Sequence, residues 1–122
     1  MGCSLSLIYE FRIYFYDIMR EIRDNDISVL KDKTCLLLLY FTATWCGPCQ
    51  RIKPMIQALS DGLDEDKVEV YMVDIDENDS LAEELQVRSV PTFYLFQGKD
   101  LLGQCSGADI TKVHALLKEH ME

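Results

Sequence analysis

Trp45-Cys46-Gly47-Pro48-Cys49 is the stretch on which the reading of this 122-residue chain turns. Before it runs Cys35-Leu36-Leu37-Leu38-Leu39-Tyr40-Phe41, an unbroken apolar segment of strand length. After it, Gln50 to Ser60 carries Ile52, Met55, Ile56 and Leu59 at helical spacing, so these four are expected to face inward. The two cysteines therefore fall where a buried strand hands over to the start of a helix. The first turn of a helix has unpaired N–H groups and the positive end of the macrodipole. It favours an anion, so the Cys46 thiol, at the cap, is expected to ionise below the reference of about 8.5 for cysteine. Cys49, one turn further in, is expected to be less exposed. Pro48 suits a first turn, where its missing N–H would have been an orphan. The two-residue gap lets the sulfurs close into a disulfide without unwinding the helix.

Working outward, Thr34 to Thr42 reads as a central strand, buried on both faces as in a parallel sheet flanked by helices. Upstream, Ile13-Tyr14-Phe15 reads as a first strand. Asp17 to Asp24, with Ile18, Met19 and Ile22 at helical spacing, reads as a first helix. Downstream, Val68 to Val73 is a strand. Ser80 to Leu85 is a helix capped by Ser80 or Asp79, and Phe93 to Phe96 is a strand. Gln97-Gly98-Lys99-Asp100 is a hairpin loop, and Leu101 to Cys105 returns antiparallel. Asp109 to Met121 closes the chain as a helix with Ile110, Val113, Leu116 and Leu117 inward. The order is βαβαβαββα, an α/β architecture.

Trp-Cys-Gly-Pro-Cys after a strand resembles the active-site signature of the thioredoxin family, and Thr42-Ala43-Thr44 before it looks like the eukaryotic form. Pro54, inside the helix, matches the family's kinking proline. Val90-Pro91-Thr92-Phe93 resembles its cis-proline strand start, and Ser106-Gly107-Ala108 its turn before the last helix. The likeness runs from roughly Ile13 to Met121. It implies the thioredoxin fold, a mixed five-stranded sheet between helices. It implies a protein dithiol–disulfide oxidoreductase that reduces protein disulfides, with Cys46 attacking and Cys49 resolving. Trp45, Gly47, Pro48, Val90, Pro91, Gly107 and Ala108 would form the apolar rim that receives the substrate chain. A nicotinamide-dependent thioredoxin reductase would close the cycle. This chain has no Gly-rich dinucleotide fingerprint, so no cofactor of its own is expected.

One departure from the family pattern concerns the chemistry. Six residues before the first cysteine the family usually carries a buried aspartate, thought to help move the resolving thiol's proton. Here that position is Tyr40, and Met72 stands where a partner lysine is common. A phenol with a reference pKa of about 10 is a poor base at neutral pH. Resolution is therefore expected to be slower than usual.

Composition bounds the rest. The length suggests one domain, divided here into a tail, 1–10, and a domain, 11–122. With 48% hydrophobic residues the chain can bury a sizeable core. A net charge of −9 argues against nucleic acid or an anionic membrane surface as direct partners, and favours partners with a basic face. Five cysteines, three of them scattered, do not form a disulfide framework; they fit a reducing, cytoplasmic setting. A monomer is expected. The N-terminus lacks a secretory signal, and Leu5 to Tyr16 is too short and too charged to span a bilayer. Met1-Gly2-Cys3-Ser4-Leu5-Ser6 does fit the N-myristoylation pattern at Gly2, with Cys3 a palmitoylation position. An ordinary Met-Gly start is the alternative.

Other readings stay open at this stage. A disulfide isomerase of the same fold is one; Gly-Pro between the cysteines argues for a reductant instead. A membrane-tethered interaction module without activity is another. A zinc site needs four ligands, and no second CxxC or His pair is in range; His114 and His120 lie in the last helix. Asp74 and Asp76 read as solvated carboxylates at a strand end. Cys35 reads as an inert small hydrophobe, and Cys105, on an expected edge strand, as a regulatory or dimer-forming thiol at most.

Overall fold

The computed structural model describes residues 20–27, 35–64 and 66–121. The expected strand at Ile13–Phe15, the tail 1–10 and the acylation positions Gly2 and Cys3 lie outside them.

Strand β2, Leu36–Thr42, is buried at every position and forms the middle of the sheet. Around it are β1 (Arg20–Glu21), β3 (Val68–Asp74), β4 (Thr92–Gln97) and β5 (Asp100–Ser106), in the spatial order β1-β3-β2-β4-β5. The pairs β1–β3 and β2–β3 are parallel; β2–β4 and β4–β5 are antiparallel. The sheet is thus mixed and five-stranded, with helices α1 (Gly47–Gly62), α2 (Asp79–Glu84) and α3 (Ile110–His120) packed on it.

Alternation along β2 sends its side chains to opposite faces. Leu36, Leu38 and Tyr40 pack with Ile52 and Ile56 of α1 and with Val113, Leu116 and Leu117 of α3. Leu37, Leu39 and Phe41 pack with Ile22, Leu81 and Tyr94 on the other face. A strand covered on both sides favours apolar side chains, which explains the run Leu36–Phe41 ahead of the buried Thr42.

Three expectations are corrected. The helix at Asp17–Asp24 does not form where its end is described: Arg20–Glu21 is a strand, in register with Tyr71 and Met72, and Ile22 N–H donates to Met72 O. Pairing with β3 and burial of Ile22 outweigh the short helical spacing, which three apolar residues cannot distinguish from an edge strand. The chain then turns through Asp24 and Asn25, both at positive φ, a conformation that Asn and Asp tolerate. Second, Met55 is not inward. The buried face of α1 is set by Cys49, Ile52 and Ile56, and at 100° per residue Met55 falls beyond its edge, 54% exposed. Third, α2 starts after Asn78, not after Ser80 or Asp79, and the Asn78 side chain does not cap it. That amide is fully buried and donates to Ile22 O and Asp74 O instead.

The remaining elements follow the expected chemistry. Helix α1 runs on through Pro54, which is exposed on its outer side, so the missing donor does not end it. Asp109 caps α3 by accepting the Thr111 N–H at 3.0 Å. Gly98 takes φ 61° in the β4–β5 turn. At Gly103 a side chain has no room, since a Cβ there would lie 2.8 Å from Leu116 Cδ1. That close approach seats α3 against the edge strand β5.

Candidate active site

The C-terminal end of β2 delivers the chain into α1 through Ala43-Thr44-Trp45. Cys46 is the N-cap, with extended backbone (φ −88°, ψ 108°), and Pro48 lies in the first turn. Cys46 N–H donates to Ala43 O, Gln50 N–H donates to Cys46 O, and the Gln50 side chain donates to Ala43 O at 2.9 Å. These bonds hold the turn that presents the dithiol.

Cys46 and Cys49 form a disulfide, with Cα atoms 5.2 Å apart. Cys49 N–H donates to Cys46 Sγ at 3.2 Å, so the leading sulfur occupies the place of a capping oxygen. An amide aimed at that sulfur, at the positive end of a sixteen-residue helix, stabilises negative charge on it. Cys49 is fully buried and Cys46 is 6% exposed, so the expected ordering of the two thiols is observed.

Across from the sulfurs stands the start of β4. Val90–Pro91 is a cis peptide bond, and Val90 O lies 3.8 Å from Cys46 Sγ. Pro91 O is engaged by Gly107 N–H at 2.9 Å, and Gly107 adopts φ 97°, which favours glycine. This bond ties the turn before α3 to the proline loop. Ala43, Cys46 and Cys49 pack with Ile75 and Val90. The structure therefore brings together Cys46, Cys49 and Val90, with Pro91 just before β4 and Gly107 in the adjoining turn. Gly47, Pro48 and Ala108 are exposed. Trp45, 67% exposed, flanks the dithiol.

Two contributors were not legible in the sequence. Ile75 joins the cluster under the sulfurs from the end of β3. Asp76, read as merely solvated, accepts the Trp45 indole N–H at 2.9 Å and so orients the exposed ring. Neither carries a local signal; the second partnership spans 31 residues. Among the described residues no three His, Cys, Asp or Glu side chains converge as metal ligands would.

Tyr40 lies beneath the site, fully buried. Its hydroxyl donates to Cys49 O at 2.6 Å, and its ring stacks on Phe93 with centroids 5.2 Å apart. Burial pushes its phenol above the ordinary value, opposed in part by the nearby Thr42 hydroxyl. The other two described cysteines lie away from the dithiol. Cys35 is half-buried and donates its thiol to Glu69, so it is more than an apolar filler. Cys105 is half-buried on edge strand β5, and burial raises its thiol, which does not favour a reactive thiolate.

Residues 21–119 match the family model described as Thioredoxin. A thioredoxin of Malassezia sympodialis is 36% identical over 105 residues, covering 86% of this chain and 92% of the relative. Thioredoxin Asp f 29 of Aspergillus fumigatus is 38% identical over 101 residues, covering 80% and 92%. The crystal structure of the Malassezia sympodialis protein superposes with a TM-score of 0.78 at 32% identity, over 85% of this chain and 91% of that one.

Proposed function

Because this chain belongs to the thioredoxin family, and so has the general character of a thiol–disulfide oxidoreductase, we propose that it reduces disulfide bonds in other proteins. The Cys46 thiolate attacks one sulfur of a substrate disulfide. A Cys46–substrate bond forms, the substrate bond breaks, and the electron pair leaves on the second substrate sulfur, which takes up a proton. Cys49 then loses its proton and attacks Cys46 Sγ. The Cys46–Cys49 disulfide forms, and the first substrate sulfur leaves as a thiolate and is protonated. The two electrons that reduce the substrate come from the dithiol. A nicotinamide-dependent thioredoxin reductase restores it.

The observation that carries this reading is the leading sulfur at the N-cap of α1, receiving the Cys49 amide while bonded to the Cys49 sulfur. Trp45, Gly47, Pro48, Val90, Pro91, Gly107 and Ala108 form the rim for the substrate chain. Val90 O beside Cys46 Sγ supports an extended peptide docking by its backbone there. The protein acts as a monomer in a reducing compartment, the cytoplasm. The tail 1–10, the domain 11–122 and lipid attachment at Gly2 and Cys3 rest on the sequence pattern alone. Among the described residues no helix is long and apolar enough to cross a membrane.

The test is insulin reduction driven by dithiothreitol, read as turbidity of the released B chain. The wild-type chain is expected to accelerate it, and Cys46→Ser to remove the acceleration. A Cys46→Ser protein as active as the wild type would refute the proposal.

A further inference from the structure

Cys49 is fixed at both ends of its backbone. Its N–H donates to Cys46 Sγ at 3.2 Å, and its C=O accepts from the Tyr40 hydroxyl at 2.6 Å. The second bond ties the first turn of α1 to the middle of β2, nine residues upstream. Tyr40 has little freedom to move. It is 0% exposed, its ring stacks on Phe93 within 11° of parallel, and its other strand neighbour is Met72. The hydroxyl is thus a donor built into the core, aimed at the residue that carries the resolving sulfur.

We propose that Tyr40 is a positioning residue for the second step of the proposed reaction: it holds Cys49 at attacking geometry by donating to its carbonyl, and it leaves that thiol no internal base among the described residues. The inference rests on the reading of the site given above. A phenol already committed as a donor, and pushed up by burial, does not take the Cys49 proton at neutral pH. Among the described residues the groups around it offer no substitute. On this face of the sheet, β3 contributes Met72 and, at its end, Asp74, whose Oδ1 accepts the Asp76 N–H. From β4 comes Phe93, and from β5 comes Cys105. Helix α1 itself carries the half-buried Lys53 and the exposed Arg51, while Lys112, His114 and Lys118 of α3 are exposed. The proton of Cys49 therefore leaves to solvent hydroxide. The Cys49 thiolate attacks Cys46 Sγ, the Cys46–substrate bond breaks, and the departing substrate sulfur is protonated from solvent.

The two steps are separated by quenched-flow mixing of the reduced full-length protein with a short peptide holding one intramolecular disulfide. Acid quenching and mass spectrometry count free protein, mixed disulfide and oxidised protein. In Tyr40→Phe the ratio of resolution rate to attack rate is expected to fall about ten-fold, the scale of one buried hydrogen bond, so that the mixed disulfide accumulates. In the wild type the resolution rate is expected to climb steadily from pH 6 to pH 8, as removal of the Cys49 proton by solvent hydroxide requires. An unchanged ratio in Tyr40→Phe overturns the positioning role. A resolution rate already level by pH 6.5 reveals an internal base and overturns the proton route. The wild-type profile stands whether or not the variant folds. Absence of any peptide reduction by the wild type would instead sink the functional reading itself.

Discussion

Asn78 shows how much one side chain can do far from its neighbours in sequence. Fully buried, it donates to Ile22 O and Asp74 O and accepts the Asn25 N–H at 2.8 Å, while Asn25 Oδ1 in turn accepts the Leu81 N–H. The pair locks the turn after β1 to the start of α2. Asn78→Ala would strand the Asn25 N–H and the Ile22 carbonyl, while Asp74 O keeps the backbone N–H of residue 78; leaving buried groups unpaired costs about 1–3 kcal/mol each before relaxation. We expect a loss of at least about 2 kcal/mol of unfolding free energy by urea titration, with the denaturant slope unchanged. A loss under about 0.5 kcal/mol, the range of a neutral surface change, would refute the clasp. This residue was unreadable in the sequence because two of its partners, Asn25 and Ile22, lie 53 and 56 positions away. Local reasoning could only offer Ser80 or Asp79 as a cap. Cys46, Cys49 and Pro91 were legible for the opposite reason. The capping position and the paired sulfurs sit within one turn of chain, and the Val-Pro-Thr motif carries the rest.

Among the elements, those whose partners are dictated by their own pattern were readable. The run Leu36–Phe41 could only be a strand buried on both faces, and the turn at Gly98 could only join a hairpin. Failure came where the pattern was short. Two residues of β1 are held by β3, and nothing in Arg20-Glu21-Ile22 favours a strand until Tyr71 and Met72 stand beside it. Met55 was misplaced because a face drawn through four apolar positions ignored Cys49, which sets its centre. The contact of β5 with α3 allows a test at this scale. A Cβ at Gly103 meets Leu116 Cδ1 at 2.8 Å and His120 Cε1 at 3.4 Å. The Leu116 side chain is buried and can give only partly. Gly103→Ala is expected to cost about 1 kcal/mol, the low end of overpacking, seen as a lower Tm. A variant more stable than the parent would show that the seam has slack.

At the scale of the whole molecule, the sheet buries titratable groups on both sides. Burial pushes the phenols of Tyr40 and Tyr94 and the thiol of Cys105 upward. Each is neutral when protonated, so the folded chain keeps its proton at a pH where the unfolded chain has released it. Their contribution to stability is whole below the unfolded values, about 8.5 for Cys and 10 for Tyr. It is lost as pH rises through the folded ones. Unfolding free energy should therefore fall from about pH 9 upward, and Tyr40→Phe should flatten part of that slope; an identical slope in the variant would exclude Tyr40 as a source. Charge acts outward as well. The net charge of −9 includes a run beside the dithiol: Asp74, Asp76 and Glu77 follow one another at the end of β3, Asp79 opens α2, and Asp76 is bound to the Trp45 ring. Such a cluster raises the local concentration of cationic substrates, and the effect is screened over a Debye length of about 10 Å at 0.1 M salt. We expect a disulfide peptide flanked by lysines to be reduced with a kcat/KM about ten-fold above its glutamate-flanked counterpart at 10 mM ionic strength. At 0.5 M the difference should nearly vanish. Asp76→Asn keeps an acceptor for the indole while removing one charge, so it should narrow the low-salt gap without disturbing the ring. Equal rates for the two peptides at low salt would mean that the acidic end of β3 plays no part in choosing the substrate.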